Sequence, residues 1–151
     1  MIEDFVSLEV AKHLKEEGFD EPVSVRYNKT GKLVRNSLGG LYKHNSGEID
    51  KTYTSAPTQA LVCKWLRLTR KQLVCIHLLP DAPTFPEYTF RIDFVGETKQ
   101  MDYKDHKIWL IDHWHPDMTE EGNEQSWASP EEATEEAIKF CLNIKPDEQA
   151  S

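Results

Sequence analysis

The stretch "EYTFRIDFV", residues 87–95, alternates without interruption. Tyr88, Phe90, Ile92 and Phe94 fall on one side of an extended chain, and Thr89, Arg91 and Asp93 on the other. One apolar side and one polar side mark a strand with a buried and a wetted face, which favours an antiparallel sheet. "LVCIHLL" at 73–79 and "KIWLID" at 107–112 supply two further strands, rich in the β-branched and aromatic residues that pack on a pleated surface.

Working outward, helices flank this sheet. On the C-terminal side, Ser129-Pro130-Glu131-Glu132 fits a capping box, with Ser129 as N-cap and Pro130 preorganised at the first helical position. Ala133, Ala137, Phe140, Cys141 and Ile144 then recur at helical spacing, and Lys145-Pro146 is expected to close the helix. On the N-terminal side, "SAPTQALVCKWLRLTRK" reads as a helix capped by Ser55, with Pro57 in its first turn. Further upstream, "PVSVRY" and "KLVR" around "NKTG" predict a hairpin with Gly31 at positive φ. The apolar residues Ile2, Phe5, Val6, Val10 and Leu14 predict a helix from Ile2 to about Glu17, ended by Gly18. The fold class expected is therefore α+β: an N-terminal helix and β-hairpin, then a helix, an antiparallel sheet of about three strands and a C-terminal helix. At 151 residues the chain fits a single domain over 1–151, with a flexible loop at about 36–53 and a C-terminal tail at 146–151.

The charge is unevenly distributed. Residues 1–76 carry 12 Lys and Arg against 9 Asp and Glu, whereas residues 77–151 carry 6 against 17, giving a mildly basic front, a strongly acidic back and a net charge of −8. Binding of nucleic acid over the whole surface is disfavoured, because attraction to phosphate needs a basic face. Cys63, Cys75 and Cys141, separated by 12 and 66 residues, match neither a zinc pair nor a redox dithiol and read as reduced, packed thiols. "MIEDFVSLEV" has no basic segment ahead of an apolar run, and no stretch is long enough to span a membrane. The expectation is a cytoplasmic protein with no membrane association and no cofactor.

Chemistry is hinted at in "HWHPD", residues 113–117. On a strand His113 and His115 share a side, and Asp117 follows, so the three are candidates for metal ligands, with Asp112 and His106 close by. The similarity to metallo-β-lactamase-like hydrolases, whose motif is H-x-H-x-D-H, fails at Met118, and no histidine follows His115. A strand ending at Asp112, broken by Pro116, is the more economical reading. No nucleophile elbow, P-loop or dinucleotide fingerprint is present, so no catalytic residue is assigned. The remaining binding candidate is the basic set Lys64, Arg67 and Lys71, whose spacing places it on one side of the predicted helix.

Two stretches, "YTSAPTQALVCKWLR" at 53–67 and "SPEEATEEAIKFCLNI" at 129–144, resemble a group of small uncharacterised proteins of phage and mobile-element DNA in gut bacteria. The order helix, three strands, helix from residue 55 onward is also similar to double-stranded-RNA-binding domains and HicB-like antitoxins. Against RNA binding, the last helix starts with acidic residues where such domains carry basic ones. The first resemblance implies an accessory bacterial protein of unknown function; the function expected is a non-enzymatic protein-interaction module of a mobile element, inhibitor- or antitoxin-like, with a protein partner. A metal-dependent hydrolase using His113 and His115, and a nucleic-acid binder using 64–71, are the alternatives.

Overall fold

The computed structural model describes residues 4–36, 40–41, 52–79, 87–116 and 125–144; for 97–99, 101, 103 and 108–110 it describes the backbone path alone. Most of the expected loop at 36–53, the tail at 146–151, and Asp117 and Met118 lie outside the described residues. Among the described residues, three helices and two antiparallel three-stranded sheets establish an α+β fold; the predicted elements appear in their predicted order, with one further strand ahead of the second helix. Among the described residues no helix is long and apolar enough to cross a membrane. The chain divides into two compact units, residues 1–62 with 142–151 and residues 63–141.

In the first unit, α1 spans Leu8–Glu16, shorter than the period of its apolar residues predicts. Ser7 caps it, its hydroxyl accepting from the Val10 amide at 3.3 Å. Phe5, expected inside the helix, instead forms a β-bridge with Thr58, and the Val6 amide donates to the Pro57 carbonyl at 3.1 Å. These partners from distant chain hold the preceding segment extended. The helix ends as Gly18 predicts: at φ +89° it lets the Phe19 amide reach Leu14 O and its own amide reach Lys15 O, the paired bonds of a Schellman motif. Leu14 and Phe19, each 1% exposed, supply the apolar contact that accompanies it.

The predicted hairpin is formed by β1 (Val25–Tyr27) and β2 (Leu33–Arg35). Asn28 organises its turn, Oδ1 accepting from the Thr30 amide and hydroxyl and from the Lys32 amide. Gly31 takes φ +83°. A third strand, β3 (Thr54–Ser55), pairs with β1 and corrects the reading of Ser55 as a helix cap. The Ala56 amide is bonded to Val25 O and the Pro57 carbonyl is taken by Val6, so this backbone cannot turn into a helix. Helix α2 begins at Gln59 and runs to Thr69, capped by Thr58, whose hydroxyl accepts from the Leu61 amide at 3.2 Å.

In the second unit, β4 (Gln72–Leu79), β5 (Glu87–Tyr103) and β6 (His106–Trp114) form a meander in the order β4-β5-β6. The alternation at 87–95 is kept at its centre, where Phe90 and Ile92 are 3% and 0% exposed between half-buried Arg91 and Asp93, but Thr89 on the expected wetted side is buried as well. Phe90 and Ile92 lie on the face covered by α3 (Pro130–Cys141), whose Ala133, Ala137, Ile138 and Cys141 are buried. Phe140 stacks on Trp114 with ring centroids 3.7 Å apart, while Phe90 lies between Trp114 and Trp127 at 5.9 and 5.4 Å.

Helix α3 starts as predicted, Ser129 Oγ accepting from the Glu132 amide. The returning Glu132 carboxylate accepts from Ala128, one residue before the cap. The helix stops at Cys141, before the predicted Lys145-Pro146, because Asn143 at φ +57° takes the left-handed conformation that terminates it. Strand β5 outruns its prediction by eight residues, passing Gly96 at φ +98°. Beyond that point its residues 98–103 pair with β6 and, among the described residues, with no other strand.

Candidate functional site

On the face of the β4-β5-β6 sheet that points away from α3, polar side chains from all three strands come together. Directly opposed residues share a face, so the pairs Leu73↔Asp93, Cys75↔Arg91, His77↔Thr89 and Asp93↔His113 place all these side chains on one surface. Arg91 and Asp93, two apart on β5, form a two-pronged pair: Nε to Oδ1 at 2.7 Å and a second guanidinium nitrogen to Oδ2 at 3.1 Å. The Cys75 thiol donates to Asp93 Oδ2 at 3.5 Å.

These contacts shift protonation in opposite directions. The hydrogen bond from Arg91 holds the Asp93 carboxyl below its ordinary value despite partial burial, helped by Cys75 and the facing His113. Burial, and then the negative charge of Asp93, push the Cys75 thiol up. Cys63 is pushed up to about 11 and Cys141 to about 12, each chiefly by burial. A nucleophilic cysteine needs the reverse shift. With its carboxylate committed to Arg91 and its thiol protonated, the cluster is suited to hydrogen bonding and charge display rather than to proton abstraction or covalent attack.

Strand β6 runs through Trp114, past the Asp112 terminus that Pro116 suggested, so His113 belongs to the ladder and His115 lies just beyond it. The two imidazoles are neighbours, edge to face with centroids 5.0 Å apart, and both residues are exposed. His113 Nδ1 is 3.3 Å from its neighbour Ile111 O. Among the described residues no group of three or more His, Cys, Asp or Glu is placed to hold a metal ion.

The basic set is divided. Lys64 and Arg67 are exposed on α2, but Lys71 lies past the helix end at φ +55°, where it does not share a helical face with them. Arg70 turns inward, donating to the Cys141 carbonyl at 3.3 Å with its guanidinium 5.6 Å from the Trp65 ring centroid. The Arg91–Asp93 pair was not singled out from the sequence, although opposite charges at i and i+2 on the wetted side of "EYTFRIDFV" mark it. Its neighbour Cys75 emerges only from the β4–β5 register.

No family model matches this chain, and no curated protein or solved structure matches it.

Proposed function

We propose that the protein is a non-enzymatic protein-interaction module, inhibitor- or antitoxin-like and of the kind carried by bacterial mobile elements, which engages a basic protein partner. The observation that carries this reading is the start of α3. After the order helix, three strands, helix, the first turn of the last helix presents exposed Glu131 and Glu132, with Glu135 and Glu136 following. Acidic groups there are favoured by the helix dipole and repel a phosphate backbone, so the surface suits a positively charged protein.

The test is affinity capture from the native host with wild-type protein and with Glu131→Lys/Glu132→Lys/Glu135→Lys, at low and moderate salt. A basic protein retained by the wild type, weakened by salt and lost with the charge-reversed variant supports the reading. Equal capture by both forms, or preferential retention of nucleic acid by the wild type, refutes it.

A further inference from the structure

We propose that β4 is a self-association edge, pairing antiparallel with β4 of a second copy about a two-fold axis at Cys75 and joining two three-stranded sheets into one of six strands.

Strand β4 is at the end of the sheet order, paired with β5 on one side and with no other strand on its outer side among the described residues. Its backbone groups alternate in direction, and their sense is set at both ends. The Val95 amide bonds to the Lys71 carbonyl, while Tyr88 directs both its amide and its carbonyl to Trp127, away from its opposite residue Leu78. Residues 73, 75, 77 and 79 therefore bond to β5, and the backbone groups of Gln72, Val74, Ile76 and Leu78 face outward. Such a row is a template for another strand, and most proteins blunt it with charge, proline or a bulge. Here "QLVCIHLL" contains no Lys, Arg, Asp, Glu or Pro, and its eight pairs with β5 run without a register shift. The opposite edge, β6, carries Lys107 and Asp112 and has a register shift against β5 between Asp93 and Thr98.

The side chains agree with the backbone. On the α3 side of β4, Val74 and Ile76 remain half-buried and Leu78 is 54% exposed, whereas Phe90 and Ile92 on the central strand are closed off. A neighbouring strand would complete this apolar row. Two buried polar atoms of the same strand, Gln72 Oε1 and His77 Nε2, have no hydrogen-bond partner among the described residues. The occupant is a second copy because an uncharged strand meets itself with no like-charge juxtaposition. A register centred on Cys75 also uses all four outward residues, Gln72 opposite Leu78 and Val74 opposite Ile76. That register sets Cys75 against Cys75 of the second copy as a non-hydrogen-bonded pair, with Cα atoms about 4.5 Å apart, within disulfide reach.

The full chain is examined by sedimentation across a concentration series, and separately oxidised with diamide, which takes up the two thiol hydrogens as a disulfide forms. The expected result is a mass approaching twice that of one chain and a covalent dimer that is lost with Cys75→Ser but kept with Cys63→Ser and Cys141→Ser. Leu78→Pro removes an outward N–H while sparing the β4–β5 bonds, and is expected to give a folded monomer by circular dichroism and sedimentation. A wild-type mass of one chain at every concentration, or a dimer unaffected by a folded Leu78→Pro, overturns the proposal. A dimer that does not cross-link through Cys75 overturns the register. Should Leu78→Pro fail to fold, the Cys75 cross-link decides alone.

Discussion

Replacing either member of the Arg91–Asp93 pair is expected to destabilise the protein unequally. The Asp93 side chain is 13% exposed and that of Arg91 is 35% exposed. Asp93→Asn leaves a guanidinium able to swing into water, so the loss approaches that of a surface ion pair, about 1 kcal/mol. Arg91→Gln leaves a mostly buried carboxylate with the Cys75 thiol as its remaining hydrogen-bond donor in the cluster. Breaking a fully buried pair costs about 3–5 kcal/mol, and partial exposure reduces this to about 2–3 kcal/mol. Because the folded Asp93 pKa is depressed, the stability it confers is complete above the ordinary Asp value, about 3.9. It is lost as pH falls through the lower folded value. Urea unfolding at neutral and acidic pH, followed by tryptophan fluorescence, measures both effects. An Arg91→Gln cost no larger than that of Asp93→Asn at neutral pH, or a gap between wild type and Asp93→Asn that persists unchanged in strong acid, would rule out this role for the pair.

Three further outcomes are expected. Gly31→Ala should be more destabilising than Gly18→Ala in thermal melts. Both sites have positive φ, costing about 1 kcal/mol, but a Cβ at Gly31 would also come within 3.3 Å of Leu8 Cδ2, whereas at Gly18 it meets open space. Ser129→Ala removes the acceptor for the Glu132 amide and should cost about 1 kcal/mol, with less helix signal on warming. In the native protein an aromatic disulfide reagent near pH 8 should label Cys75 well before Cys63 and Cys141, whose thiols are held up to about 11 and about 12; equal rates would contradict the packing described.

What the sequence made legible was local. The alternation at 87–95 and the Ser129 capping box each depend on residues within a few positions of one another, and both appear, with two departures: Thr89 is buried and the Glu132 carboxylate reaches Ala128 rather than Ser129. The boundaries that shifted depend on distant partners. Phe5 leaves its expected helix for Thr58, and Ser55 leaves its expected cap for Arg26; neither helical periodicity nor capping preference carries that information. The extension of β5 was hidden because "TKQMDY" has no apolar alternation, and its return turn places Lys104 and Asp105 at φ +46° and +69° without the glycine that announces such turns. For the site, the shared face of Arg91 and Asp93 followed from spacing, and the closeness of His113 and His115 from strand geometry. The meeting of Cys75 with Asp93 required the β4 register, and the separation of Lys71 from Lys64 and Arg67 required the exact helix end.

The unequal lengths of β4 and β5 divide one continuous ladder into two thermodynamic regimes. Up to Phe94, β5 is bonded into the body of the sheet and backed by α3. From Thr98 to Tyr103 it is, among the described residues, one half of a two-stranded ribbon, about 20 Å long at the usual rise, and an isolated ribbon of that kind is only marginally stable in water. Its amides should exchange with solvent through local opening, while those of Phe90 and Ile92 wait for cooperative unfolding. The same strand would thus serve as an anchor at one end and as a compliant arm at the other, able to adapt its reach without loosening the surface that holds Cys75, Arg91 and Asp93.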